Sequence, residues 1–282
     1  MPTEPRAIDL DLKSGRLRAH CFGPRFSPGG GKLTICVHGL SANSRSYDFL
    51  GPELAEHGRS VVAVDLRGRG FSAVTGLGTY GWNKHARDVL EIATVLGADS
   101  FEYVGHSMGA FIGLELARQA AARVERMVLI DAIGIPEAAS LIPIAAAVQR
   151  LGTIHASADA YVSAVQRLGI ITPWSSVWET HYRYDLVPVD GGVKPRTDRA
   201  AVFEDMIYGT TQLPATFWPG LTMPTLLARA DVPLGGGFIV SRDDRDDFLR
   251  RVSGSRVVDI DANHYAIMTH PRTAAAIRSF LP

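Results

Sequence analysis

Ser107 is set in Gly105-His106-Ser107-Met108-Gly109, between the apolar run Phe101–Val104 and a helical pattern that begins at Met108. A serine hydroxyl is a weak nucleophile at its own pKa and needs a neighbouring base, so such a turn serves chemistry only if it lifts the side chain clear of the backbone. Glycine two residues to either side permits a tight strand-to-helix turn, and the helix N-terminus favours negative charge developing beside the hydroxyl. The motif is weak by itself, because small residues crowd many turns. Its place between strand and helix gives it weight.

The base for this nucleophile is expected far down the chain. Asn263-His264-Tyr265 follows the apolar run Val257–Ile260 through a short loop, and His264 is the leading candidate. His106 lies inside the turn itself, His85 in a helical pattern, His155 and His181 in a proline-punctuated middle segment, and His270 directly before Pro271; each is a weaker choice. Two carboxylates compete to orient the imidazole: Asp131, after the run Met127–Ile130, and Asp231, after Thr225–Ala228. The one that does not serve is expected in a turn or a helix cap. Backbone N–H groups of Leu40 and Met108 are the candidate donors to a developing oxyanion, Leu40 lying in His38-Gly39-Leu40 after the run Leu33–Val37. His38 reads as a residue that fixes this loop rather than as a proton carrier.

The elements that must hold these groups alternate. Apolar runs at Leu17–Cys21, Leu33–Val37, Val61–Val64, Phe101–Val104, Met127–Ile130, Thr225–Ala228 and Val257–Ile260 predict strands, several of them apolar at consecutive positions, as strands covered on both faces are. Between them, Tyr47–His57, Lys84–Leu96, Met108–Ala122 and Arg272–Leu281 predict helices, with Gly58 and Gly97 as stops. The fold class is therefore α/β, with a mostly parallel central sheet flanked by helices. From Ile133 to Thr222 the alternation gives way to helical pieces separated by prolines, so residues 1–132 and 223–282 are expected to form the core and residues 133–222 a helical cap.

Composition narrows the function. Twenty-nine basic residues balance 29 acidic ones, which leaves no electrostatic footprint for nucleic acid. The longest apolar stretch, Leu141–Val148, is far shorter than the roughly 20 residues that span a bilayer, and the N-terminus lacks the apolar block of a secretion signal. Two cysteines, Cys21 and Cys36, make neither a disulfide framework nor a zinc site, so a cytoplasmic protein with reduced thiols is expected. No metal or other cofactor is called for; Gly235-Gly236-Gly237 lacks the lysine and Ser/Thr of a phosphate-binding loop, and Asp243–Asp247 reads as a solvated helix face. The expected partner is a small molecule. Trp174, Trp178, Tyr182, Trp218 and Tyr265 are candidates for an apolar substrate wall, although any one of these aromatics can equally hold the cap together.

Taken in order, HGLSANS (38–44), DLRGRGFS (65–72), GHSMG (105–109), LIDA (129–132) and NHY (263–265) resemble the α/β-hydrolase superfamily over nearly the whole chain. The resemblance implies a serine hydrolase with Ser107, His264 and an acid as its triad. Most members carry the acid in a Gly-x-x-Asp-Pro segment after the later strand; here Val232 separates Asp231 from Pro233, one residue out of register, which favours Asp131. HGLSANS, Pro188–Pro195 and Asn263-His264-Tyr265 are also similar to the acetamidomethylene succinate hydrolases, amide hydrolases of vitamin B6 breakdown, which place the acid after the earlier strand. Outside Pro188–Pro195 the cap departs from that pattern, and its six basic against eight acidic residues do not encourage a dicarboxylate substrate. The expected activity is hydrolysis of an ester, lactone or amide of a small, largely apolar molecule through an acyl-enzyme on Ser107. Carbon–carbon bond hydrolysis by the same residues, and a non-catalytic ligand receptor of the same fold, are the alternatives.

Overall fold

The computed structural model describes residues 4–29 and 31–281, so residues 1–3, 30 and 282 of the expected core lie outside the described residues. The chain opens on β1 (Arg6–Leu12), β2 (Gly15–Phe22) and β3 (Leu33–Val37), followed by α1 (Leu50–Ala55), β4 (Ser60–Val64), α2 (Trp82–Val95), β5 (Phe101–His106), α3 (Met108–Ala120) and β6 (Val124–Ile130). A middle stretch holds α4 (Ala138–Gln149), α5 (Ala158–Gln166), α6 (Ser176–Tyr184), the hairpin β7 (Leu186–Val189) and β8 (Gly192–Pro195), and α7 (Arg199–Thr210). The chain closes with β9 (Thr225–Ala230), α8 (Arg242–Arg251), β10 (Ser255–Ile260) and α9 (Pro271–Phe280).

Eight strands form one sheet in the order β1-β2-β4-β3-β5-β6-β9-β10. Pairing is antiparallel between β1 and β2 and between β2 and β4, and parallel from β4 onward. Every residue of β3, β4 and β5 is buried, as consecutive apolar positions require when both faces are covered. The pleat sends alternate side chains to opposite cores: Ile35 and Val37 pack with Val89 of α2 and Ile112 of α3, whereas Cys36 and Val104 pack with Leu54 of α1 and Ile277 of α9.

Three sequence expectations change. β1 adds an edge strand that the apolar-run criterion passes over, because its alternating residues are half exposed. The helix expected over Tyr47–His57 is interrupted: a 3-10 turn at Ser44–Tyr47 precedes α1, and Pro52 sits in the first turn of α1, where a missing N–H costs no helical bond. The middle stretch is not purely helical. Val189 pairs with Gly192 across the two-residue turn Asp190–Gly191, and Gly191 takes the positive φ of 84° that this hairpin needs.

Candidate active site

The turn from β5 into α3 holds Ser107 at φ 56° and ψ −121°, a conformation rarely adopted by residues other than glycine. The surrounding chain enforces it. Ser107 N–H donates to the Ile130 carbonyl at 3.0 Å, and the Ser107 carbonyl accepts from Ala110 N–H at 2.8 Å. The flanking glycines are required by close approach: a Cβ on Gly105 would stand 2.3 Å from the Gly109 carbonyl oxygen, and one on Gly109 would stand 2.1 Å from that of Val37. The Tyr103 hydroxyl donates to the Gly109 carbonyl at 2.6 Å and locks the first turn of α3.

His264 Nε2 lies 2.9 Å from Ser107 Oγ, and its Nδ1 lies 2.8 Å from Asp131 Oδ2. An ionised carboxylate only accepts, so Asp131 places the imidazole proton on Nδ1 and leaves Nε2 free to accept from the serine hydroxyl. Asp131 is itself fixed: its backbone has φ 50°, its N–H donates to Ala228, and its Oδ1 accepts from Ala230 N–H at 3.0 Å. The His264 loop is held by His106, whose Nε2–H donates to the His264 carbonyl at 2.9 Å, and by Asn263, whose Oδ1 accepts from the N–H groups of Tyr265 and Ala266. Burial holds the His106 pKa well below the ordinary histidine value, so it is a neutral strut.

The loop after β3 is fixed by a single histidine tautomer. Leu66 N–H donates to His38 Nε2 at 3.1 Å, which leaves the proton on Nδ1 to donate to the Gly39 carbonyl at 2.7 Å. That carbonyl shares a peptide unit with Leu40 N–H, so the bond sets the plane of the candidate donor. Burial lowers the His38 pKa to about 3, in keeping with a loop-fixing residue. Behind it, Arg69 Nε donates to the Leu40 carbonyl at 3.0 Å, and Arg69 Nη2 meets Asp205 of α7 at 2.6 Å with both side chains fully buried. His85 Nε2 approaches Asp205 at 3.1 Å. Burial pushes the Asp205 carboxyl upward, but His85 and Arg69 together hold it below the usual carboxylate value. The second candidate donor, Met108 N–H, opens α3 and therefore has no partner within that helix.

Two chambers meet at Ser107 and share Leu40 and Ile144 as part of their walls. The first, about 70 Å³, is bordered by His264, Tyr265, Tyr182, Trp178, Arg150 and Asp185. The second, about 360 Å³, is more open and apolar, bordered by Met108, Trp82, Phe111, Leu141, Met206 and Leu213. Asp185 accepts from the N–H and hydroxyl of Thr197, and burial raises its carboxyl pKa to about 7. The middle stretch is tied to the sheet by buried polar contacts besides Arg69–Asp205: Asn43 Nδ2 donates to the His181 carbonyl at 3.1 Å, and Asn263 Nδ2 to that of Ile170 at 2.8 Å.

The structure thus brings Ser107, His264, Asp131, Leu40 and Met108 together, with Trp178, Tyr182 and Tyr265 lining the smaller chamber. Three candidates need correction. Asp231 is not the partner of the imidazole, whose Nδ1 meets Asp131; the Asp231 carboxylate accepts from Arg229 Nη1 at 2.7 Å. Trp218 is a packing residue, with its Nε1–H donating to Ile133 and its ring set edge-on against Phe248. Trp174 stacks on Tyr182 at 5.9 Å and lines neither chamber. Arg150, His181 and Asp185 belong to the small chamber and were not singled out by the sequence. Arg150 ends an apolar helix, and nothing local marks where its guanidinium goes.

Known proteins agree with this architecture. The family model described as alpha/beta hydrolase fold matches residues 33–207. Over 121 residues the chain is 33% identical to a serine hydrolase-like protein of Dictyostelium discoideum, covering 42% of this chain and 33% of that protein. Over 103 residues it is 35% identical to N-formylmaleamate deformylase of Pseudomonas putida, covering 36% and 38%. These matches span only about a third to two fifths of the length of those relatives. The solved structure of E-2-(acetamidomethylene)succinate hydrolase superposes with a TM-score of 0.86 at 24% identity, over 98% of this chain and 99% of that one. An alpha/beta hydrolase from Novosphingobium aromaticivorans superposes at 0.78 with 23% identity, over 99% and 98%. With well over half of its residues matched, in a sheet of this order, the chain belongs to the α/β-hydrolase fold family.

Proposed function

We propose that this protein is a serine hydrolase that cleaves an ester, lactone or amide of a small, largely apolar molecule through an acyl-enzyme on Ser107. The observation that carries the reading is the continuous relay from Asp131 through His264 to Ser107, with spacings of 2.8 and 2.9 Å. His264 Nε2 takes the hydroxyl proton as Ser107 Oγ attacks the carbonyl carbon, and Asp131 stabilises the imidazolium. The oxyanion accepts from Leu40 and Met108 N–H, one such donor typically being worth about 3–4 kcal/mol. His264 returns the proton to the departing oxygen or nitrogen, then deprotonates the water that releases the acyl group. Residues 133–222 serve as a cap that closes both chambers over Ser107. The relatives named a deformylase of N-formylmaleamate and a hydrolase of E-2-(acetamidomethylene)succinate support an amide among the bonds cleaved.

A fluorophosphonate should give a single adduct on Ser107 by mass spectrometry, and Ser107→Ala should lose both labelling and turnover while keeping its circular dichroism spectrum. Turnover retained in Ser107→Ala would overturn the reading. Absence of labelling under conditions that label a known serine esterase would favour a ligand receptor.

A further inference from the structure

The two chambers at Ser107 differ in size and in chemistry, and the reaction gives each a direction. Whatever group departs must receive its proton from His264 Nε2, so it lies on the His264 side, in the enclosed chamber bordered by His264 and Tyr265. The acyl group then extends past Met108 into the open chamber, whose Trp82, Phe111, Leu141 and Leu213 suit an alkyl or aryl chain.

The enclosed chamber holds an unmet demand. Arg150 is its only bordering Lys or Arg; its guanidinium hydrogen-bonds to the Tyr161 side chain, and no carboxylate among the described residues pairs with it. Its Nε, Trp178 Nε1 and His181 Nδ1 are all buried without a hydrogen-bond partner. Trp178 and His181 are 3% and 5% exposed, so solvent does little to satisfy them. A buried donor left unpaired is costly, and the Arg150 and Trp178 N–H groups beside one small space call for an acceptor. Burial keeps the His181 ring neutral, its pKa lowered to about 3, so the positive charge on this wall belongs to Arg150. Asp185 borders the same space but is turned to Thr197. The single guanidinium matches a single negative charge, which suits a carboxylate rather than a phosphate dianion.

Resting on the serine-hydrolase reading above, we infer that the substrate carries a carboxylate on its leaving group, held by Arg150 in the enclosed chamber, and an apolar acyl chain in the open chamber. The substrate class is an N-acyl amino acid or an acyloxy acid. Attack by Ser107 Oγ breaks the acyl–oxygen or acyl–nitrogen bond; the departing hydroxy or amino acid leaves with the proton from His264, and water then releases the fatty or aryl acid.

Three compounds test this: hexanoyloxyacetate; its neutral counterpart hexanoyloxyacetamide; and monohexyl malonate, in which carboxylate and alkyl chain change sides of the ester. Charge-assisted hydrogen bonds of this kind predict a kcat/KM about 10- to 100-fold higher for hexanoyloxyacetate than for the amide. Monohexyl malonate should fall at or below the amide. In Arg150→Met the acid-to-amide ratio should drop to near unity, with Arg150→Lys between. By calorimetry, Ser107→Ala should bind hexanoyloxyacetate at least about 10-fold more tightly than Ser107→Ala/Arg150→Met. Equal use of acid and amide, preference for the malonate, or a ratio that survives Arg150→Met overturns the inference. If fluorophosphonate still labels Ser107 in that case, the hydrolase reading stands without it. If Ser107 is unlabelled and none of the three compounds is cleaved, both fail.

Discussion

Replacing Asp131 by asparagine is a sharp test of the relay, because the structure decides which way the new amide faces. Asp131 Oδ1 accepts from Ala230 N–H at 3.0 Å and Oδ2 faces His264 Nδ1 at 2.8 Å. Asparagine has one acceptor, which the Ala230 donor claims, so its NH2 group must point at His264 Nδ1. That nitrogen then becomes an acceptor and the ring proton moves to Nε2, where it points at Ser107 Oγ and blocks deprotonation. The side chain keeps its shape, so stability should change little while kcat falls about 10⁴-fold, on the order of 5 kcal/mol of transition-state stabilisation. The assay is pre-steady-state hydrolysis of an activated ester, with the acylation burst measured in Asp131→Asn and Asp231→Asn side by side. Asp231 is 36% exposed and Arg229 keeps Asp259 as a second carboxylate partner, so the Asp231 variant should stay within about threefold of the parent, a difference of about 1 kcal/mol or less. An Asp131→Asn rate within tenfold of the parent, or a larger loss in Asp231→Asn, would refute the reasoning.

Gly109→Ala should lose on the order of 3 kcal/mol or more in urea unfolding, because its Cβ would stand 2.1 Å from a backbone oxygen that has no side-chain freedom to move; a midpoint unchanged from the parent contradicts this. Arg69→Met should cost about 3–5 kcal/mol by leaving the buried Asp205 carboxylate with only His85 and Gly81 N–H against it, and calorimetry showing no drop in Tm would argue against it. Burial raises the Asp185 pKa to about 7 from an ordinary 3.8, so the folded state holds this proton more tightly than the unfolded one. The resulting stability is complete below pH 3.8 and is lost as pH rises through 7, up to about 4 kcal/mol. Asp185→Asn should therefore raise Tm relative to the parent more at pH 8 than at pH 5; an equal difference at both would refute the assignment.

Much of the fold is legible because parallel strands buried on both faces leave apolar runs that need no partner to be recognised; Leu33–Val37 is predicted and observed with the same bounds. Half-exposed elements leave weaker traces. β1 hides in an alternating polar stretch, and β7 and β8 carry Pro188 and Pro195, which speak against strands even though Asp190–Gly191 is a good hairpin turn. The candidate nucleophile and base are marked by local context, a turn between strand and helix and a loop after the last strand. The choice between Asp131 and Asp231 is not local: both end parallel strands, and what separates them is that Arg229, buried within β9, claims Asp231. The chamber around Arg150 is less legible still, because its walls come from α4, α5, α6 and the His264 loop, and a buried Arg150 Nε without an acceptor is a property of their assembly.

The ties between Asn43 and the His181 carbonyl, Asn263 and the Ile170 carbonyl, and Arg69 and Asp205 have a mechanical consequence. Swinging the whole insertion outward would strand several interior donors and a carboxylate at once, so α5 to α7 behave as part of the scaffold. α4 is held at its start by Glu137, whose N–H donates to the Phe238 carbonyl and whose Oε2 accepts from Phe238 N–H; farther along it shows Leu141 and Ile142 to water and borders both compartments through Ile144. Leu141 and Ile142 can therefore be exchanged without breaking any of these ties.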